Sequence, residues 1–233
     1  LVFGINMFEA LDSVGWWGAH EIFRPIIVYL VRRTRHEETS RGADSVPVLE
    51  GIFTRLDEIW AENQKNDATL DVAEFAQVML GNDFQPILAR IEEALRAGVP
   101  PKQLCRAMTY AGAMRTLRCH LTNEGDWHDV ANIYSYAHAL YCAFDYAASK
   151  ELLRAIYHGA VFLTYTRWLN MPAARVPQHG QKLDEAFDSD EAMLKRLGEF
   201  ADFQKVAEAE ILVSQYLEEE RDITQLRHAL AHI

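Results

Sequence analysis

The chain has 233 residues, 49% hydrophobic and 24% charged, enough for one large or two small domains with cores of their own. Its formal net charge is −11 and its basic residues are dispersed, which excludes the cationic surface that phosphate neutralisation demands of a nucleic-acid binder. No run reaches the roughly 20 apolar residues of a membrane span, since the longest, Ile22 to Val31, is interrupted by Arg24 and Pro25.

Three cysteines, Cys105, Cys119 and Cys142, with no C-x-x-C pair, argue against a disulfide framework or a zinc ribbon and suit a reducing compartment. No basic segment precedes the first apolar stretch, so no secretory signal is read and a cytoplasmic location is expected. The first residue is Leu1, which predicts a fragment of a longer chain.

In chain order the signals are helical. Arg32, Arg33 and Arg35 with His36 are followed at once by Glu37 and Glu38, the pattern of a solvated helix end. Asp71 with Glu74 three residues later forms a capping box at a helix start. Phe84, Ile87, Leu88, Ile91 and Leu95 make one apolar stripe at helical spacing. Pro100-Pro101 opens a helix over Lys102 to Cys119, and Asn123 to Asp126 reads as a turn. Helices are predicted over Val130 to Ala148, Lys150 to Leu169 (stopped by Met171-Pro172), Glu191 to Glu220 and Thr224 to His232, with a loop at Pro177 to Gln181. No period-2 pattern bounded by turns is found, so the expected fold class is all-α.

An internal similarity refines that expectation. Glu151-Leu-Leu-Arg154-Ala-Ile156 parallels Glu21-Ile-Phe-Arg24-Pro-Ile26, and Val161 and Thr164 parallel Val31 and Thr34. Val176-Pro177 then pairs with Val46-Pro47, Leu183-Asp184-Glu185 with Leu56-Asp57-Glu58, and Glu199-Phe200-Ala201 with Glu74-Phe75-Ala76. Gln225-Leu226 and Ala229 pair with Gln103-Leu104 and Ala107. The offset falls from 130 (151 against 21) to 122 (225 against 103) in small steps that loops can absorb. This predicts a tandem helical repeat with units of about 125 residues. Residues 1–95 would be the latter part of one unit, 96–216 a complete unit, and 217–233 the start of a third unit or a C-terminal helix. Each unit would bury an apolar face on the next, in a helical array or bundle.

The nine histidines are the group that invites chemistry. His120 ends a helix carrying Arg106, Arg115 and Arg118, and His128 follows in a polar turn with Asp126, Trp127 and Asp129. These two are candidate ligands for a His-bound iron or zinc ion. His138 and His158 lie mid-helix, where a core histidine with satisfied ring nitrogens is the competing reading. No H-E-x-x-H and no doubled E-x-x-H is present. Trp127, Tyr134, Tyr136, Tyr141 and Tyr146 could line a pocket for a planar molecule or simply fill a core. Cys119 and His120 point about 100° apart on a helix, a poor geometry for a thiolate–imidazole pair. Ser135 and Ser149 lack a G-x-S-x-G setting, and no P-loop or G-x-G-x-x-G occurs.

A series of segments carries a resemblance. Arg118-Cys-His120, Asp126-Trp127, Tyr134-x-Tyr136-Ala-x-Ala139, Leu153-Arg154-x-x-x-His158-Gly159-Ala160 and Trp168-Leu-Asn-x-Pro172-Ala-Ala-Arg175-x-Pro177 occur in that order. Over residues 95 to 233 the chain resembles the helical region of bacterial proteins that carry a Rieske-type 2Fe–2S domain, and more distantly the questin-oxidase-like helical proteins. The Leu169 to Pro177 stretch is its most specific part. The resemblance implies an oxidoreductase-associated helical domain, oxygenase-like or substrate-binding, that acts on a hydrophobic small molecule beside a ferredoxin-type partner. His120 and His158 would be its catalytic candidates, with Trp127, Tyr134, Tyr136, His138 and Arg118 around the ligand. A Rieske cluster needs C-x-H and C-x-x-H boxes; neither occurs, so no 2Fe–2S cluster is expected within this chain. The family also carries a histidine before the Tyr-rich helix, where this chain has Ala131 and Asn132. The alternative expectation is a non-catalytic helical-repeat scaffold for protein interactions.

Overall fold

The structure, a computed structural model, describes residues 1–32, 43–120, 127–171 and 173–233, without the side chains of Trp127, His128 and Val130. The basic run at Arg33, Arg35 and His36 and the turn expected at Asn123 to Asp126 lie outside the described residues. Every regular element among the described residues is helical, so the chain is all-α. None of these helices is long and apolar enough to cross a membrane.

The chain divides into two compact units, Leu1–Ala174 and Arg175–Ile233. The first holds α1 (Val2–Val14), α2 (Ala19–Arg32), α3 (Val46–Phe53), α4 (Leu56–Asn63), α5 (Val72–Met79), α6 (Phe84–Arg96), α7 (Pro101–Leu117), α8 (Trp127–Ala147) and α9 (Glu151–Tyr165), with a 3-10 turn at Thr166–Asn170. The starts of α5 and α6 are fixed by their sequence. Asp71 accepts hydrogen bonds from the backbone N–H groups of Ala73 and Glu74, and Asp83 from that of Gln85, which satisfies donors that a helix start leaves orphaned. The stripe on α6 is buried in full, from Phe84 to Leu95.

The core of this unit is built around α7, which packs on α5, α8 and α9. Two glycines set how close the last two come. A Cβ on Gly112 of α7 would lie 2.4 Å from Ile133 Cγ2 of α8. A Cβ on Gly159 of α9 would lie 2.5 Å from Met108 Sδ of α7 and 2.9 Å from Tyr136 Cε1. The lack of a side chain at these points lets neighbouring helices rest directly against backbone.

The link from α6 into α7 is clamped as well. Gly98 has φ 93°, a conformation glycine adopts without steric cost, and a Cβ there would meet the Asn66 carbonyl carbon at 2.2 Å. Val99 N–H donates to Ala94 O at 3.0 Å, closing a Schellman turn. The buried Asn63 amide of α4 donates to Leu95 O and Val99 O at 2.8 and 2.9 Å.

The second unit comprises α10 (Asp190–Asp202), α11 (Val206–Glu218) and α12 (Ile223–Leu230). Its core joins Met193, Leu197, Phe200, Leu212, Tyr216 and Leu226. The single helix expected over Glu191 to Glu220 is in fact two. Gln204 turns left-handed (φ 54°), and Lys205 N–H bonds back to Phe200 O at 2.8 Å. The reversal lets Phe200 and Tyr216 share one core, which a continuous helix would hold apart.

Some blocks paired in the sequence adopt like structure. Phe75 and Phe200 are buried in α5 and α10, and Leu104 and Leu226 in α7 and α12. The Schellman bond from Val99 to Ala94 has a counterpart from Arg221 N–H to Tyr216 O, at the same offset of 122 (221 against 99, 216 against 94). Other blocks do not: Val46-Pro47 opens α3, whereas Val176-Pro177 is irregular chain.

The Gly112 contact can be tested directly. Gly112→Val is expected to destabilise residues 1–174 by about 2–3 kcal/mol through overpacking, and Ile133→Ala to recover part of that loss. All five tryptophans lie in this unit, so urea unfolding followed by tryptophan fluorescence reads it selectively.

Candidate functional site

A groove of about 570 Å³ runs between α5, α7 and α8. Its floor is one face of α7: Arg106, Thr109, Tyr110 and Ala113 recur at i, i+3, i+4 and i+7, opposite the face that carries Leu104, Ala107, Met108 and Ala111 into the core. Val72 and Ala73, in the first turn of α5, form one wall, and His138 and Tyr141 of α8 the other. The lining is mostly apolar, with polar tips around it. The Thr109 hydroxyl donates to Cys105 O at 2.9 Å, which leaves its oxygen free to accept. Tyr141 presents its ring to the Lys102 ammonium, 4.1 Å from the centroid, while Lys102 holds Asp145 at 2.6 Å. Arg106 makes no ion pair among the described residues and is exposed at the groove.

A second depression, of about 520 Å³, includes Asp44, Tyr165, Arg167 and Trp168. Its polar groups are engaged with one another and with backbone: Tyr165 donates to Asp44, and Arg167 to Asn82 O at 3.2 Å. The α5–α7–α8 groove is the better candidate, because its walls are apolar and its cation has no ion-pair partner among the described residues.

Of the residues expected around a ligand, His138 lines the groove. Tyr136 faces away from it: its hydroxyl donates to Ala155 O of α9 at 2.8 Å, and burial raises its phenol. Tyr134 is half-buried elsewhere on α8, and Tyr146 is hydrogen-bonded to Asp12 of α1 at 2.8 Å. Arg118 is half-buried beyond the end of α7, where its carbonyl accepts from Ala174 N–H at 2.9 Å. The Trp127 side chain lies outside the described residues.

The catalytic candidates stand on separate elements. His120 is half-buried just past α7. His158 packs at a tilt against Phe53 of α3, ring centroids 5.5 Å apart and planes 55° apart, beside Arg154. The core-histidine reading of His138 and His158 is corrected: both rings are exposed. The side chain of His128, the proposed co-ligand of His120, lies outside the described residues. Among the described residues, one group of three metal-ligating side chains converges, and it is a different one: Glu9, His138 and Cys142. Cys105 is inert by burial, its thiol pushed up to about 12, and Cys119 is buried too.

The Leu169 to Pro177 stretch has a fastening role. Arg115, buried on α7, donates from Nη1 to Asn170 Oδ1 at 3.0 Å and from Nη2 to Leu163 O at 3.1 Å. Asn170 Nδ2 returns a bond to Arg115 O at 2.8 Å. The guanidinium thus caps the Leu163 carbonyl in the last turn of α9, where a cation is favoured. Burial, with Arg118 and Arg167 nearby, pushes it down to about 10, so it stays charged at neutral pH. Its Nε has no hydrogen-bond partner among the described residues.

Sequence reasoning missed Arg106, Tyr110 and Glu9. The spacing of Arg106, Thr109, Tyr110 and Ala113 was a usable signal, as was His138 one turn from Cys142. Known protein families, curated proteins and solved structures contain no match to this chain.

Because the Asn170–Arg115 clasp is structural, Asn170→Leu should lower stability by about 2 kcal/mol in urea unfolding, by stranding the buried guanidinium. The same variant should leave binding in the α5–α7–α8 groove unchanged.

Proposed function

We propose that this chain is a helical small-molecule-binding domain that takes a hydrophobic ligand with an acidic end in the α5–α7–α8 groove. The observation that carries the reading is the pairing of apolar walls with the Arg106 guanidinium, which has no ion-pair partner among the described residues, and the aromatic faces of Tyr110 and Tyr141. Such a site buries a ligand's apolar body and meets its carboxylate with a charged donor. The resemblance to helical regions that accompany Rieske-type domains supports placing this domain beside an oxidoreductase of ferredoxin type, as a substrate-binding or oxygenase-like partner. On this reading His138, rather than His120 or His158, is the imidazole nearest the ligand.

The second reading, a docking scaffold, is favoured by α2. That helix has no buried residue, and Ile27, Leu30 and Val31 are exposed along it.

The test is binding of an environment-sensitive anionic naphthalene probe, followed by fluorescence. Ala113→Trp, which fills the groove floor, should weaken binding more than about tenfold, an energy of order 1.4 kcal/mol. Arg106→Gln should weaken it less. Binding that survives Ala113→Trp but is lost in Leu30→Asp would place the apolar site on α2 and favour the scaffold.

A further inference from the structure

We propose that Glu9, His138 and Cys142 form a zinc site that joins α1 to α8. His138 and Cys142 lie one turn apart on α8, so their side chains project from the same face. His138 Nε2 is 3.6 Å from Cys142 Sγ and 4.0 Å from Glu9 Oε1. All three ligating atoms lie within 4.8 Å of one another. Around one tetrahedral ion with bonds of about 2.0–2.3 Å, ligand atoms stand roughly 3.3–3.8 Å apart. The set therefore needs only small side-chain rotations to close.

The ligand chemistry selects the ion. One imidazole, one thiolate and one carboxylate form a mixed set of borderline softness, which suits zinc and disfavours magnesium or calcium, which take all-oxygen shells. The groups are also free to ligate. Cys142 is a free thiol, and neither Glu9 nor His138 has a second ion-pair partner among the described residues. His138 is exposed over 66% of its side chain and Glu9 over 47%, so an ion can enter and keep a fourth position for water or a ligand atom. Asp145, one turn further along α8, is held by Lys102 and adds negative potential. A bound dication takes the cysteine as thiolate, so binding releases the thiol proton.

The site adds a tie between α1 and α8 to the packing of Ile5 on Ala139 and Ala143, the Phe8–Tyr146 ring contact and the Asp12–Tyr146 hydrogen bond. It shares His138 with the groove but does not depend on what the groove binds.

The experiment uses the full chain, stripped with a chelator and titrated with cobalt(II) as an optical stand-in for zinc. The proposal predicts one equivalent bound, a near-ultraviolet thiolate-to-cobalt charge-transfer band, and displacement of cobalt by zinc. Cys142→Ser should abolish the band, and His138→Ala and Glu9→Gln should each weaken zinc binding more than about tenfold. Cys105→Ser and Cys119→Ser should retain the band. Glu9 and His138 are exposed and Cys142 is half-buried, where serine is nearly isosteric, so circular dichroism should show unchanged helix content in their variants. Absence of the band, its survival in Cys142→Ser, or unaltered zinc affinity in His138→Ala would overturn the site. Probe binding in the groove, measured on the Glu9→Gln and Cys142→Ser variants, should be unchanged, which separates this site from the ligand reading.

Discussion

Close approach of α8 to the backbone of α7 at Gly112, and of α7 and α8 to the backbone of α9 at Gly159, is the constraint on which residues 1–174 depend. Gly112 and Gly159 make it possible, since any side chain there would run into Ile133 or Met108. With the helices this close, Leu104, Ala107, Met108 and Ala111 are sealed in the core, and the opposite face of α7 is left as the floor of the groove. Core and groove are thus two faces of one helix. The α6–α7 clamp at Asn63 and Gly98 fixes where α7 begins, and the Arg115–Asn170 clasp fixes where it ends. A buried cation paired with neutral oxygens is costly, so its retention at that end reflects the need to cap α9 where it meets α7.

Much of the helical content was legible because its signals are local. The α6 stripe and the Asp71 cap each depend on residues within a few positions of one another, and both hold in the structure. The break between α10 and α11 was not legible. It rests on Gln204 in a left-handed conformation, a state usually marked by glycine, held by the Lys205–Phe200 backbone bond and the shared core of Phe200, Leu212 and Tyr216.

The candidate site shows the same division. Aromatic density on α8 was visible in the sequence, but which ring faces where depends on helical phase and neighbours. Tyr136 and Tyr141 are five residues apart, point to different sides of α8, and serve α9 and the groove respectively. His138 was identified as a pocket residue. Its partner Glu9 comes from a helix 129 positions earlier (138 against 9), a pairing that arises only from the packing of α1 on α8. The Leu169 to Pro177 segment, the most specific part of the resemblance, acts here through Asn170 as a fastener, which illustrates that a distinctive motif can mark packing as readily as chemistry.

The most direct measurement of the central claim is amide hydrogen exchange across the full chain. The account predicts that amides from Leu104 to Arg115 in α7 are the slowest of residues 1–174, since they sit under α5, α8 and α9 at once. Amides of α2, which buries no residue, should exchange orders of magnitude faster. Exchange in α7 as rapid as in α2 would contradict the claim that α7 organises the core and its groove.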